Sequence, residues 1–207
     1  MGRINCFIPF ANAAQVSKTV EGLKENDLVN KIYLLANDEA EGSVEGCEVI
    51  KVRNLDSSAT IKAIAEKADA DYVLLYTKYN TLKFAPFAIE RFVKIADDSQ
   101  SSMCYADHYN VTEKGAVKAP VIDYQFGALR DDFDFGSVML YCGKCFKKAA
   151  EAMKADYEFA GLYDHRLKLS QFGKLTHINE YLYSDVELDT RKSGEKIFDY
   201  VDPKNRG

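Results

Sequence analysis

Long apolar runs are missing from this sequence: nowhere do roughly eighteen apolar residues follow one another, so no transmembrane segment is expected. The opening Met1-Gly2-Arg3 passes at once into a short strand-like run, without the extended apolar stretch of a secretory leader, which predicts a cytoplasmic location. Positive charge is also in deficit. A formal net charge of −5 argues against a nucleic-acid surface. The three histidines, His108, His165 and His177, show no regular ligand spacing. Five cysteines, an odd number scattered through strand-like contexts, do not make a disulfide framework and are read as reduced. Cys142 and Cys145 have the spacing of half a zinc site or of a redox pair. With no second such pair, they read better as two small, partly buried side chains at a strand-to-helix corner. No glycine-rich phosphate loop, catalytic serine elbow or zinc signature occurs.

What is present suits one α/β domain. A chain of 207 residues, 47% apolar and 29% charged, is long enough to bury a sizeable core. Residues 4–9 form a short apolar run closed by Pro9, and 14–24 places Val16, Val20 and Leu23 on one helical face. Strand-like runs at 31–35 and 48–52 flank the polar turn Asn37-Asp38-Glu39. Ser57 or Ser58 then caps a helix reaching residue 67, with Ile61, Ile64 and Ala65 inward. Tyr72-Val73-Leu74-Leu75-Tyr76 reads as a buried strand that turns polar at Thr77. Alternation of strands and helices before any hairpin predicts a mostly parallel sheet with ligands at the carboxyl ends of its strands. Further on, 87–97 is an amphipathic helix through Ile89, Phe92, Val93 and Ala96; 104–109, 138–142 and 177–183 are strands; 144–154 and 160–169 are helices. In the loop 123–136, Arg130, Asp131, Asp132 and Asp134 stand beside Phe133 and Phe135. Either this is an acceptor-sugar site, or the rings enter the core and the carboxylates face water.

Several short motifs occur in one order along the chain: Ile8-Pro9-Phe10-Ala11-Asn12, the run to Gly42 after Leu34, the strand ending at Tyr76, Tyr105-Ala106-Asp107, and Tyr163-Asp164 with Leu167-Lys168-Leu169. Together they resemble the family 2 glycosyltransferases. That resemblance implies a GT-A fold, a mixed, mostly parallel sheet flanked by helices, over residues 1–186. Residues 187–207 are then a charged tail or the start of a linker to a further domain. It also implies transfer of sugar from a nucleotide-diphosphate sugar to a glycan or other acceptor. Such transfer needs a carboxylate base for the acceptor hydroxyl and a positive group for the departing diphosphate. Manganese or magnesium on an Asp-x-Asp motif is usual for the family, but here Thr77, Lys78, Tyr79 and Asn80 span that place, so no metal site is assigned. Gly161 and Leu162 stand at the family's Glu-Asp pair, which leaves Asp164 as the candidate base. Pro9, Phe10, Asn12, Asn37, Asp38, Lys78 and Asp107 are the candidate nucleotide-sugar residues, with Lys78 as a fixed charge for the diphosphate. Arg130, Asp131 and Asp132 are the candidate acceptor residues. The alternative is a non-catalytic domain of the same fold that binds or supports a neighbouring domain or partner, in which Tyr76, Tyr79 or Leu162 fills the cleft.

Overall fold

Buried runs rich in β-branched and aromatic residues give the inner strands, and four of the five helices among the described residues follow a strand. In chain order the elements are β1 (Ile4–Phe10), α1 (Ala13–Lys24), β2 (Val29–Ala36), β3 (Glu48–Lys51), α2 (Ser58–Glu66), β4 (Tyr72–Tyr76) and β5 (Thr81–Phe84). They continue as α3 (Ala88–Ser99), β6 (Met103–Thr112), β7 (Gly115–Ala119), β8 (Val138–Cys142), α4 (Gly143–Glu151), α5 (Gly161–Phe172) and β9 (Leu175–Val186). This computed structural model describes residues 2–130 and 132–188; Asp131 and nearly all of the tail expected at 187–207 lie outside them.

The nine strands among the described residues form one sheet in the order β3-β2-β1-β4-β8-β6-β9-β5, with β7 hairpinned onto β6. β1, β2, β3, β4, β6 and β9 run one way, and β5, β7 and β8 the other. The expected mixed, mostly parallel sheet is therefore present. Two strands were not expected from the sequence: β5, an edge strand of four residues that pairs antiparallel with β9, and β7, which returns antiparallel along β6.

Side-chain alternation along the strands splits the core into two layers. On one face Leu74, Tyr76, Ala106 and Leu140 pack against Val16, Val20 and Leu23 of α1 and Ile89, Phe92 and Val93 of α3. On the other, Val73, Leu75, Tyr105 and Met139 pack against Ile61 and Ile64 of α2, Phe146 of α4, and Leu162 and Leu169 of α5. Three helices start on side-chain caps: Asn12 accepts from the Gln15 amide, Ser57 from that of Thr60 and Cys142 from that of Cys145. The carboxyl ends of β1, β2, β3, β4 and the inner half of β6 lie along one edge of the sheet. That edge positions the candidate site.

Candidate functional site

At the end of β4 the strand delivers Tyr76 and then Lys78 to the face that carries α1 and α3. Both meet Asp185, which β9 brings in from the far end of the chain. Asp185 is 2% exposed. Its Oδ1 accepts from the Tyr76 hydroxyl at 2.7 Å, and its Oδ2 from Ser137 Oγ at 2.6 Å and Lys78 Nζ at 3.0 Å. A buried carboxylate needs its lone pairs matched, and three donors match them here. His108 Nε2 lies 3.8 Å from the same Oδ2, and its ring stacks on Tyr183 with centroids 4.9 Å apart. The Tyr183 hydroxyl accepts from the Ser137 amide at 2.9 Å. Gly136, at φ +73°, lets the chain enter this cluster, because a Cβ there would collide with the Tyr183 hydroxyl. Burial, then the Asp185 charge, pushes the Tyr76 phenol up. Burial likewise pushes Tyr183 up to about 12 and holds His108 below the usual imidazole range. The rings are thus neutral at pH 7, and Lys78 is the cation that faces the carboxylate.

Asp107 belongs to a second cluster on the opposite face. It is 2% exposed, and its Oδ1 accepts from the Val121 amide at 2.9 Å and faces His177 Nε2 at 2.8 Å. The other ring nitrogen of His177 lies 2.6 Å from Asp123 Oδ1. Tyr105 stacks on the His177 ring and donates its hydroxyl to the Ile122 carbonyl at 2.8 Å. Asp107 thereby fastens the start of the loop 120–136 to the sheet. Farther along that loop Phe135 is buried and Phe133 half-buried, while Asp132 and Asp134 are exposed.

The first loop is held from within. Gln15, almost fully buried on α1, donates through Nε2 to the Pro9 and Tyr79 carbonyls at 3.3 and 3.1 Å and accepts from the Ala11 amide at 3.0 Å. Thr19, one turn on, accepts from the Leu82 amide at 3.0 Å. These two residues were not singled out from the sequence, although Gln15 and Thr19 flank Val16 and Val20 on the buried face of α1. Phe10 is buried in the core and Asn12 is used as a cap. Asn37 turns the chain by accepting from the Glu39 amide at 3.2 Å, and Asp38 is exposed beside it.

Arg130 and Asp132 pair with each other at 3.1 Å, both largely in solvent. Asp164 lies in the first turn of α5 and pairs with Lys168 at 3.4 Å. The start of that helix is docked onto the start of α2. The Gly161 and Leu162 amides both donate to the Asp56 carbonyl, at 2.7 and 3.1 Å, and the Ser58 amide donates to the Tyr157 carbonyl at 2.9 Å. A Cβ on Gly161 would collide with the Ser58 backbone. The hydrogen bonds and ion pairs described therefore join Arg130 to Asp132, but hold Asn12, Lys78, Asp107 and Asp164 each on a separate partner.

The sequence matches no known family, and no curated protein is similar to it. Solved structures are. S. aureus TarS 1–349 superposes with a TM-score of 0.63 at 9% identity, over 89% of this chain and 60% of that one. Its complex with UDP-GlcNAc gives 0.63 at 9% identity, over 90% and 59%. Its complex with UDP gives 0.60 at 10%, over 89% and 60%. The fold is glycosyltransferase-like. At such identity the likeness concerns the fold, and the chain spans about 60% of the length of TarS 1–349. In this glycosyltransferase-like fold the Asp185 cluster lies beyond β4, where the sequence resemblance implied a divalent metal. The residues present do not fit one: an ammonium occupies the position, and the one buried carboxylate already has three donors. Among the described residues no group of three or more metal-ligating side chains gathers, and no helix is long and apolar enough to cross a membrane.

Proposed function

We propose that this chain is a glycosyltransferase-fold domain that supports a neighbouring domain or partner and does not itself transfer sugar. The observation that carries the reading is the ion pair of Lys78 with buried Asp185. Lys78, the positive group that follows β4 among the described residues, is matched to an internal carboxylate instead of being left for a diphosphate. The matched Glu-Asp pair agrees with this: a side chain at Gly161 would collide with the Ser58 backbone, and Leu162 beside it carries no carboxylate. The family 2 motifs quoted from the sequence support descent from that family with loss of its chemistry.

The competing reading, binding and transfer from a nucleotide-diphosphate sugar through Lys78 and Asp164, draws on the TarS structures solved with UDP-GlcNAc and UDP. Calorimetry and assay of nucleoside diphosphate release separate the two. The donors are uridine, guanosine and thymidine diphosphates and their sugars, each with and without manganese. The expected result is no release and no manganese-dependent binding. Release that is lost on Lys78→Ala would restore the transferase.

A further inference from the structure

The sheet's opposite edge carries a cleft of about 720 Å³, lined in part by Tyr72, Asp97, Gln100, Cys142, Lys144 and Cys145. It lies at the amino end of β4 and the carboxyl end of β8, away from the Asp185 cluster. Cys142 ends β8 and caps α4, and Cys145 follows in the helix's first turn. The Cys145 thiol donates to Cys142 Sγ at 2.6 Å, and the Cys145 amide points to the same sulfur at 3.3 Å. Both cysteines are half-buried and free. The arrangement is asymmetric: one sulfur accepts from a thiol and a helix amide, and the other donates to it. A thiolate at a helix N-terminus beside a lysine has the setting of an attacking sulfur, and a thiol within reach of it has that of a resolving one.

We propose that Cys142 and Cys145 form a reversible dithiol–disulfide site that exchanges with a low-molecular-weight disulfide entering this cleft. In the first step the Cys142 thiolate attacks one sulfur of the incoming disulfide. The disulfide bond breaks, a mixed disulfide forms on Cys142 and one thiolate leaves. Cys145 then gives up its proton and attacks Cys142 Sγ, expelling the second thiolate. Two electrons pass from the two cysteines to the incoming disulfide. The two leaving thiolates take up the Cys145 proton and one from solvent.

The surroundings support the assignment. The hydrogen bond from Cys145, ahead of the α4 amides and Lys144, pulls the Cys142 thiol below its ordinary range, while the same bond pushes Cys145 up. Lys144 and Lys147 offer charge to a carboxylate-bearing peptide. Asp69, Asp71 and Asp97 complete the charged groups around the cleft, and Asp97 is engaged by the Tyr72 hydroxyl. Cys6 and Cys104 are buried within the sheet, and burial raises both. Cys47, half-buried and raised by burial, serves as an internal comparator.

The experiment equilibrates the whole chain across ratios of reduced to oxidised glutathione, quenches with an alkylating agent and maps the modified peptides by mass. The expected result is loss of two alkylatable thiols, both in the peptide that holds Cys142 and Cys145. Cys145→Ser should trap one glutathione on Cys142, and Cys142→Ser, which keeps a good helix cap, should trap none. In the unmodified chain Cys142 should alkylate roughly tenfold faster than Cys47 at pH 7. Absence of an internal disulfide at every ratio, or alkylation of Cys142 no faster than Cys47, would overturn the assignment. Neither of those two readings depends on whether a variant folds.

Discussion

His165 is held between α4 and α5 with Nε2 3.0 Å from the Phe146 carbonyl and no partner for Nδ1. Burial, more than any neighbouring charge, lowers its pKa to about 4 from the ordinary 6.5. In the unfolded chain the ring takes up a proton once the pH falls below about 6.5, and in the folded chain it waits until about 4. Between those values the unfolded state binds more protons, so stability falls as the pH drops, by up to about 1.4 kcal/mol per unit. His108, lowered by its own burial, adds in the same direction. Urea unfolding from pH 7 to pH 4 should show this slope, and His165→Gln should flatten it; an equal slope in the variant would remove His165 as its source. Part of this was legible beforehand, since Leu162, His165 and Leu169 fall on one helical stripe. The partner was not, because Phe146 belongs to a different helix and offers only a backbone oxygen. Lys78 shows the same limit: its carboxylate lies 107 residues away, beyond the reach of any local pattern.

Among the elements, the contact between the starts of α2 and α5 depends on one missing side chain. Gly161→Ala should cost about 3 kcal/mol, because the new methyl must displace the Ser58 backbone. Gly22, exposed within α1 and with nothing within 4 Å of a Cβ, is the opposite case. There alanine should add about 1 kcal/mol through helix propensity alone. Thermal or urea unfolding of the two variants checks both signs; destabilisation by Gly22→Ala, or tolerance of Gly161→Ala, would contradict the packing described. The two glycines look alike as sequence, since a close approach between elements leaves no mark on periodicity. Helix limits were plainer. Ser57 caps α2, one of the two serines expected to do so, and Cys142 does occupy a strand-to-helix corner. β5 escaped notice because four half-polar residues at a sheet edge carry too little alternation to be read as a strand.

For the whole molecule, one sheet separates two apolar layers, and its central strands contribute to both. Exposing either layer strips a face from β1, β4 and β8, so the layers should be lost together. Hydrogen exchange should give the slowest amides of these strands one common free energy, equal to that of urea unfolding. Markedly lower protection throughout α2, α4 and α5 would mean that one layer opens alone. The parallel half of the sheet was visible in the strand and helix alternation. The reversal at β8 was not, because a buried run such as residues 138–141 reads the same whichever way it points. The corner where α2 meets α5 has a consequence for anions. Helix starts attract phosphate and carboxylate through unpaired amides and positive partial charge, but here the Ser58, Gly161 and Leu162 amides already hold carbonyl oxygens of the chain itself. A soluble anion seeking this corner competes with an acceptor that is tethered in place and surrenders no translational freedom on binding.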